Sequence, residues 1–172
     1  RDRSYTDEGS PGRDWNVATG MVIEGKAGFQ IMGDWAKGEF TAAGKVPGVD
    51  YYCSPTPSNN GYLYNVDSFI FYKTSDPDKQ EGQKLLAKLM MGKNFQKVFN
   101  LYKGSIPARL DVPMDEFDKC AKTSNADIKT AGAKGGLVPS FAHGMAQGNT
   151  MKAALQDIIT EHFNSDMSSV DA

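Results

Sequence analysis

The sequence has few of the residue types that carry out catalysis or bind metals, and it has no long apolar run. Its 172 residues include two histidines and two cysteines, and the spacing of Cys53 and Cys120 fits no zinc-binding pattern. No apolar stretch is long enough to span a bilayer. Motifs of a catalytic serine, a zinc protease, a phosphate-binding loop or a dinucleotide-binding loop are absent from the sequence. We therefore expect a binding protein, with no cofactor and no metal, rather than an enzyme.

Excess charge of one sign is also lacking. The 19 Lys and Arg residues nearly balance the 21 Asp and Glu residues, which gives a formal net charge of −2, and the two signs are interspersed. This balance provides no electrostatic basis for binding nucleic acid or an anionic membrane surface. The length suffices for a domain with its own core.

Composition divides the chain into three parts. Residues 1–13 are rich in Asp, Ser, Gly and Pro and are predicted to form a mobile leader. Residues 14–164 carry the periodic apolar patterns of a folded, helix-rich α/β portion. Residues 165–172 are predicted to be a disordered tail.

Apolar spacing, caps and turn residues predict the elements of residues 14–164. Asp34, Asp76 and Asn94 are placed as helix caps, and Leu85, Leu86, Leu89 and Met90 are predicted to be buried. The pattern predicts helices over residues 14–25, 35–43, 77–91, 95–103, 115–124 and 149–163, and strands over residues 29–32, 51–53 and 62–72.

The segment after the fourth predicted helix is broken twice. Gly104 is a usual helix stop and Pro107 reinforces it, which leaves Lys103 at the helix end and Arg109 on a loop. Locally, Lys103 is explained by the negative end of the helix dipole. The role of Arg109 stays open between ligand contact and loop support through a carboxylate such as Asp111.

Four side chains could bind a ligand, although each also has an ordinary structural role. Trp35 can stack on a sugar ring or pack in a core. Asp67 can accept sugar hydroxyl groups, with Lys103 neutralising its charge, or form a plain salt bridge. His143 can donate or accept a hydrogen bond, or simply be satisfied within its loop. The second histidine, His162, lies near the end of the last predicted helix, where the dipole explains it.

The two cysteines leave two alternatives. Cys53 and Cys120 are either unpaired buried thiols of a cytosolic protein or one disulfide of an exported protein. Composition alone does not decide between them.

Four motifs together resemble the extracellular solute-binding proteins of sugar ABC transporters, and among them the periplasmic glucose/mannose-binding branch. The third and fourth are specific, and the first is shared across the wider family. The motifs are IMGDW at residues 31–35, NVDSF at residues 65–69, NLYKGSIPARLD at residues 100–111 and GLVPSFAHGM at residues 136–145.

The resemblance implies the C-terminal lobe of a two-lobe periplasmic-binding-protein fold, with a segment of about residues 70–110 expected to belong to the other lobe. It assigns sugar stacking to Trp35 and hydroxyl hydrogen bonds to Asp67, Lys103 and His143. The implied ligand is glucose or a similar hexose, held in an incomplete half-site.

The implied partners are the N-terminal lobe, which is missing here, and the membrane subunits of an ABC importer. A second copy of the chain is a further possible partner, through apolar surface that the missing lobe would cover. The implied periplasmic location favours the Cys53–Cys120 disulfide.

Two alternatives to sugar binding stay open. One is a carbohydrate-active enzyme that uses Asp67 or Asp34, since glycoside hydrolysis requires two carboxylates. The other is a structural interaction module whose polar residues only stabilise the fold.

Overall fold

The computed structural model describes residues 5–7, 9–10, 12–58 and 61–171. Within these residues the chain forms six α-helices, a short 3-10 turn at Asp34–Ala36 and two strands. In chain order the elements are α1 (Trp15–Ile23), α2 (Lys37–Ala42), β1 (Tyr62–Tyr64), α3 (Pro77–Met90), α4 (Lys93–Lys103), α5 (Lys119–Ala133), β2 (Leu137–Pro139) and α6 (Asn149–Asn164). The prediction of a helix-rich α/β fold is confirmed. Among the described residues, no helix has the length and apolar content that crossing a membrane requires.

The two strands form a small parallel sheet. Tyr62 pairs with Leu137 and Tyr64 with Pro139, and the ladder continues beyond the strands, since the Ser140 N–H donates to the Tyr64 carbonyl at 2.9 Å. Because the two strands are parallel, the segments that follow them leave the sheet at the same edge.

The described core lies between the end of α4 and the start of α5. Val112, Phe117 and Ala121 are buried there, and they pack against half-buried apolar side chains: Leu101, Ile106 and Met114. Pro107 is fully buried beside this group in sequence. The loop after α4 is thus part of the core.

A disulfide and a buried ion pair attach the earlier part of the chain to α5. Cys53 is bonded to Cys120, as the resemblance implied. Lys37 is buried and its Nζ lies 2.9 Å from a carboxylate oxygen of Asp118, which also caps α5 by accepting from the Ala121 N–H at 2.9 Å. Burial acts to raise the pKa of Asp118, but the Lys37 and backbone hydrogen bonds outweigh it and the pKa is lowered.

Several predicted helix ends are confirmed. Asp76 accepts from the N–H groups of α3 and Pro77 occupies its first position. Gly104 ends α4 with a φ of 87°, a left-handed conformation that favours glycine. The predicted first and last helices correspond to α1 and α6, which end within one residue or two of expectation.

Other helix predictions are wrong. Helix α4 begins at Lys93 with Gly92 at its cap, rather than with Asn94. Asp34 lies inside the 3-10 turn, capped by Gly33, and its carboxylate bonds a distant N–H group instead. The helix expected at residues 115–124 begins only at Lys119 and continues to Ala133, because the Asp118 cap sets its start and its weakly patterned second half packs against the sheet.

The strand predictions are mostly wrong as well. In the described chain, residues 29–32 form no strand, and Phe29 and Ile31 are exposed. Residues 51–53 contribute only a single bridge from Tyr51 to Pro47. Of residues 62–72 only the first three pair, since a strand requires a neighbour and the sheet offers one only there.

Helix α3 does not bury the face that its sequence predicts. Met90 is buried, but Leu85, Leu86 and Leu89 are exposed. An adjoining open groove of about 510 Å³ is lined by side chains of α4: Phe95, Val98, Phe99, Tyr102 and Lys103. The pattern thus marks an apolar face that the described residues leave open.

Parts of two predictions concern residues that the structure does not describe. Residues 1–4, 8 and 11 of the predicted leader and Ala172 of the predicted tail lie outside the described residues.

Candidate functional site

The candidate site lies at the carboxyl end of the sheet, where the segments that follow β1 and β2 begin. Asp67 follows the last residue of β1 by three positions, and His143 follows the last residue of β2 by four. Ligand sites of parallel α/β sheets are commonly built at this edge. The sheet therefore brings together two of the four predicted residues.

Trp35 comes to the site on the 3-10 turn. Its ring lies directly over Gly33, where an added Cβ atom would fall only 2.1 Å from the indole. The ring meets the imidazole of His143 edge to face, with the ring centroids 5.3 Å apart and an interplanar angle of 82°. Such pairs stabilise a fixed ring arrangement by about 0.5–1.5 kcal/mol.

Lys103 is the last residue of α4, and the left-handed conformation of Gly104 turns the following loop away from the helix axis. Its ammonium group forms a short ion pair with the Asp67 carboxylate. Helix α2 packs tightly against this helix end: a Cβ atom on Gly38 would lie 2.9 Å from the Lys103 carbonyl oxygen. The predicted neutralisation of Asp67 by Lys103 is thus present.

Asp67 is held on both sides. Oδ2 receives the Lys103 ammonium, and Oδ1 accepts from Asn65 Nδ2 at 3.1 Å. The Lys103 hydrogen bond is the largest cause of a lowered pKa at Asp67, which is partly opposed by burial and reinforced by Asn65 and the charge of His143. The carboxylate is therefore ionised and oriented at neutral pH.

His143 is oriented by the residue that ends the sheet. Its Nδ1 lies 2.7 Å from Ser140 Oγ, and Ser140 is itself buried and fixed through its backbone bond to Tyr64. This contact engages Nδ1, so Nε2 is the ring nitrogen that a ligand would meet. His162, by contrast, bonds the Met167 carbonyl through its Nδ1 at 2.9 Å.

Arg109 supports the loop. Its guanidinium makes two bonds to the Asp111 carboxylate, at 2.9 and 2.8 Å, and a third to the Met91 carbonyl at 3.2 Å. Lys93 also contacts Asp111 at 3.0 Å. Arg109 and Lys93 lower the pKa of Asp111, and the Asp111 carboxylate raises the pKa of Arg109.

Two supporting residues were not identified from the sequence, and a third, Asp34, was considered there only as a helix cap or as a catalytic carboxylate. Asn65 and Ser140 orient Asp67 and His143, and their position two or three residues away within the same motifs was the available signal. Asp34 accepts a hydrogen bond from the Ile106 N–H at 2.9 Å, across 72 residues of sequence, which no local pattern reveals.

The cluster combines one aromatic ring, one carboxylate, one ammonium group and one imidazole. These groups can stack on a sugar ring, accept its hydroxyl groups and donate to its oxygens. Across the part of the chain that the structure describes, no group of three acidic, histidine or cysteine side chains could hold a metal ion. The geometry suits recognition of a small polar ligand.

Known proteins similar to this chain are named as binding proteins. No protein-family model matches it. The chain is 49% identical over 171 residues to a probable sugar-binding periplasmic protein of Brucella suis, covering 99% of this chain and 40% of that protein. It is 46% identical to a probable sugar-binding periplasmic protein of Rhizobium meliloti, covering 99% and 41%. An uncharacterised ABC transporter extracellular-binding protein of Pyrococcus horikoshii is 35% identical over 158 residues, covering 91% and 34%.

These similarities extend along nearly the whole chain, which spans 40–41% of the length of the two bacterial relatives. The relatives are named as binding proteins and not as enzymes, in agreement with the expectation from the sequence. Their names also agree with the predicted periplasmic location. Along nearly its whole length the chain is therefore similar to a part of the proteins named as periplasmic sugar-binding proteins.

Proposed function

We propose that this chain supplies one side of a monosaccharide site in a periplasmic binding protein that delivers its sugar to an ABC importer. The single observation that carries this proposal is the convergence of the Trp35–His143 ring pair and the Asp67–Lys103 ion pair at one edge of the sheet. The names of the relatives support the class of ligand and the transporter.

Each group has a role in this proposal. Trp35 stacks on the apolar face of the sugar ring, a contact that aromatic rings make well. Asp67 accepts one or two hydroxyl groups, while Lys103 and His143 Nε2 donate to hydroxyl oxygens. Glucose is the proposed hexose because its equatorial hydroxyl groups leave the ring faces apolar and its edge polar, which suits a ring beside a charged pair.

The site is proposed to be a half-site. The Asp67 side chain is 66% exposed and that of Lys103 31%, so a sugar held by these residues alone would keep much of its surface in water. Binding proteins of two lobes enclose their ligand by hinge closure. We accordingly propose that residues 14–164 form the C-terminal portion, and that the open face of α3 and α4, within residues 70–110, packs against the other lobe or against a second copy.

Isothermal titration calorimetry with D-glucose tests the proposal. It is carried out on the chain alone and on the chain mixed with the N-terminal part of the Brucella suis relative. We expect binding to be stronger in the mixture. Galactose, mannose and xylose, titrated in parallel, define the preferred hydroxyl arrangement.

Variants of the site identify the residues that bind. Trp35→Ala, Asp67→Ala and His143→Ala should each weaken glucose binding by about tenfold or more, since each removes a contact worth about 1.4 kcal/mol or more. Asp111→Asn is the matched control, because it changes an exposed carboxylate that pairs with Lys93 and Arg109 rather than with a residue of the site. Unchanged affinity in all three site variants would refute the assignment.

A further inference from the structure

The residue before Trp35 connects two parts of the candidate site. Asp34 opens the 3-10 turn that carries Trp35, and its Oδ2 accepts the Ile106 N–H at 2.9 Å. Ile106 lies three residues beyond Lys103, in the loop that leaves α4. One hydrogen bond therefore connects the support of the aromatic ring to the support of the ammonium group.

The backbones around this bond are packed too closely to shift independently. A Cβ atom on Gly104 would lie 2.6 Å from the Gly38 nitrogen, and one on Gly38 would lie 2.9 Å from the Lys103 carbonyl oxygen. Closely packed segments of this kind move together. The Asp34–Ile106 bond is the polar connection at this junction.

The charges at the junction also connect the two supports. Burial raises the pKa of Asp34, and the Ile106 hydrogen bond and the charges of Lys37 and Lys103 partly offset that rise. Lys103 therefore acts on two carboxylates: it forms an ion pair with Asp67, and its charge alone acts on Asp34.

We propose that Asp34 is a positioning residue that fixes the spacing between the Trp35 ring and the Lys103 ammonium group. The inference rests on the proposed sugar-binding function, because that spacing matters to a ligand that contacts both groups. Asp34 itself faces the Ile106 backbone and is not assigned a contact with sugar. A misplacement of about 1 Å is enough to weaken recognition strongly.

Tryptophan emission tests the position of Trp35 without any ligand. The sequence contains two tryptophans, Trp15 and Trp35, so a Trp15→Phe background leaves Trp35 as the sole emitter. In that background Asp34→Ala should shift the emission to longer wavelength and increase its quenching by iodide. Asp34→Asn keeps an oxygen that accepts the Ile106 N–H, so it should restore most of the parent emission.

Calorimetry with D-glucose, on the mixture described above, tests the consequence for binding. Asp34→Ala should weaken binding about tenfold, and Asp34→Asn by no more than about threefold, since loss of a hydrogen bond to a charged group is costly and its neutral replacement is milder. Asp76→Ala is the matched control, because it removes a carboxylate that accepts backbone N–H groups at the start of α3 and has no contact with the Trp35 turn. It should lower thermal stability and leave Trp35 emission unchanged.

Parent emission and parent affinity in Asp34→Ala would overturn the proposal. The same emission shift in Asp76→Ala, at equal loss of thermal stability, would also overturn it, since general loosening of the fold would then explain the shift. If Asp34→Ala does not fold, Asp34→Ser replaces it in both measurements, because the serine side chain is too short to reach Ile106. The same emission shift and the same loss of affinity are then expected. A Trp35 response to Asp34→Ala with no glucose binding by any variant or parent would reject the proposed function and support the positioning role.

Discussion

Two lysine–aspartate pairs join distant parts of this chain, and they differ in their exposure to solvent. Lys37 and Asp118 are separated by 81 residues, and their side chains are 7% and 33% exposed. Lys103 and Asp67 are separated by 36 residues, and their side chains are 31% and 66% exposed. The same chemistry thus occurs once inside the fold and once at its surface.

The difference in exposure separates the structural role of the first pair from the binding role proposed for the second. Breaking a buried pair leaves a charge that water cannot reach, which strongly destabilises the fold. An exposed pair contributes little to stability, because water screens it. Its charged atoms are available to a ligand, and replacing water by sugar hydroxyl groups there requires no rearrangement of the core.

The largest effect should come from opening the disulfide beside the buried pair. A Cys53→Ser, Cys120→Ser variant loses a bridge between residues 67 apart in sequence. Loop-closure entropy then predicts a fall in the free energy of unfolding of about 4 kcal/mol. Urea unfolding measures it, and a reducing agent should have no further effect on the variant. An unchanged urea midpoint would show that the region is held without the bridge.

Removing the buried lysine should have the next largest effect. Lys37→Met leaves the Asp118 carboxylate without its ammonium partner, which should cost about 3 kcal/mol in unfolding free energy. The double variant Lys37→Met, Asp118→Leu should recover part of this loss, because no charge is left unpaired. Urea unfolding of both single variants and the double variant gives the coupling. Additive single effects would show that the pair does not interact.

The exposed pair should behave in the opposite way. Asp67→Asn should change the free energy of unfolding by no more than about 0.5 kcal/mol. Glucose affinity should nevertheless fall about tenfold, because the charged acceptor is lost. Calorimetry and urea unfolding on the same preparation separate the two effects. A large loss of stability would place this pair in the structural class with Lys37 and Asp118.

The smallest effect should be in the acid dependence of stability. The pKa of Asp118 lies below its ordinary value of 3.8, so its contribution is complete above that value and is lost as pH falls through the folded-state pKa. The pKa of Asp34 is raised above 3.8. Its contribution to stability is therefore complete below that value and is lost as pH rises through the folded-state pKa, which is the reverse of the Asp118 dependence. Urea midpoints between pH 5 and pH 2 should therefore fall less steeply in Asp118→Asn than in the parent. Equal slopes would contradict the assignment.

Sequence patterns predicted those features of the fold that depend on neighbours in the chain. The Asp76–Pro77 start of α3 and the Gly104 end of α4 are local signals, and both are confirmed. The strand expected at residues 29–32 and the burial of Leu85 required partners far away in sequence. An apolar pattern shows that a surface needs covering, and it does not show what covers it.

The candidate site follows the same division. Its four residues came from the motifs and from the resemblance that those motifs carry. The ion pair between Lys103 and Asp67 was anticipated, since an unpaired carboxylate buried in an apolar stretch would be costly; the structure shows the pair with Asp67 largely exposed. The support from Ser140 and Asn65 depends on where the sheet ends. The bond from Asp34 to Ile106 depends on a meeting of two helices that no local pattern encodes.

The bare backbone of Gly33 beneath Trp35 has a consequence for the entropy of recognition. The indole lies against the glycine on one side and meets His143 at a right angle, so its rotation is restricted before any ligand arrives. Ordering a free side chain on binding costs about 0.5–1.5 kcal/mol. A ring that is already ordered avoids this cost, so the proposed stacking on a sugar would require no ordering of the Trp35 side chain.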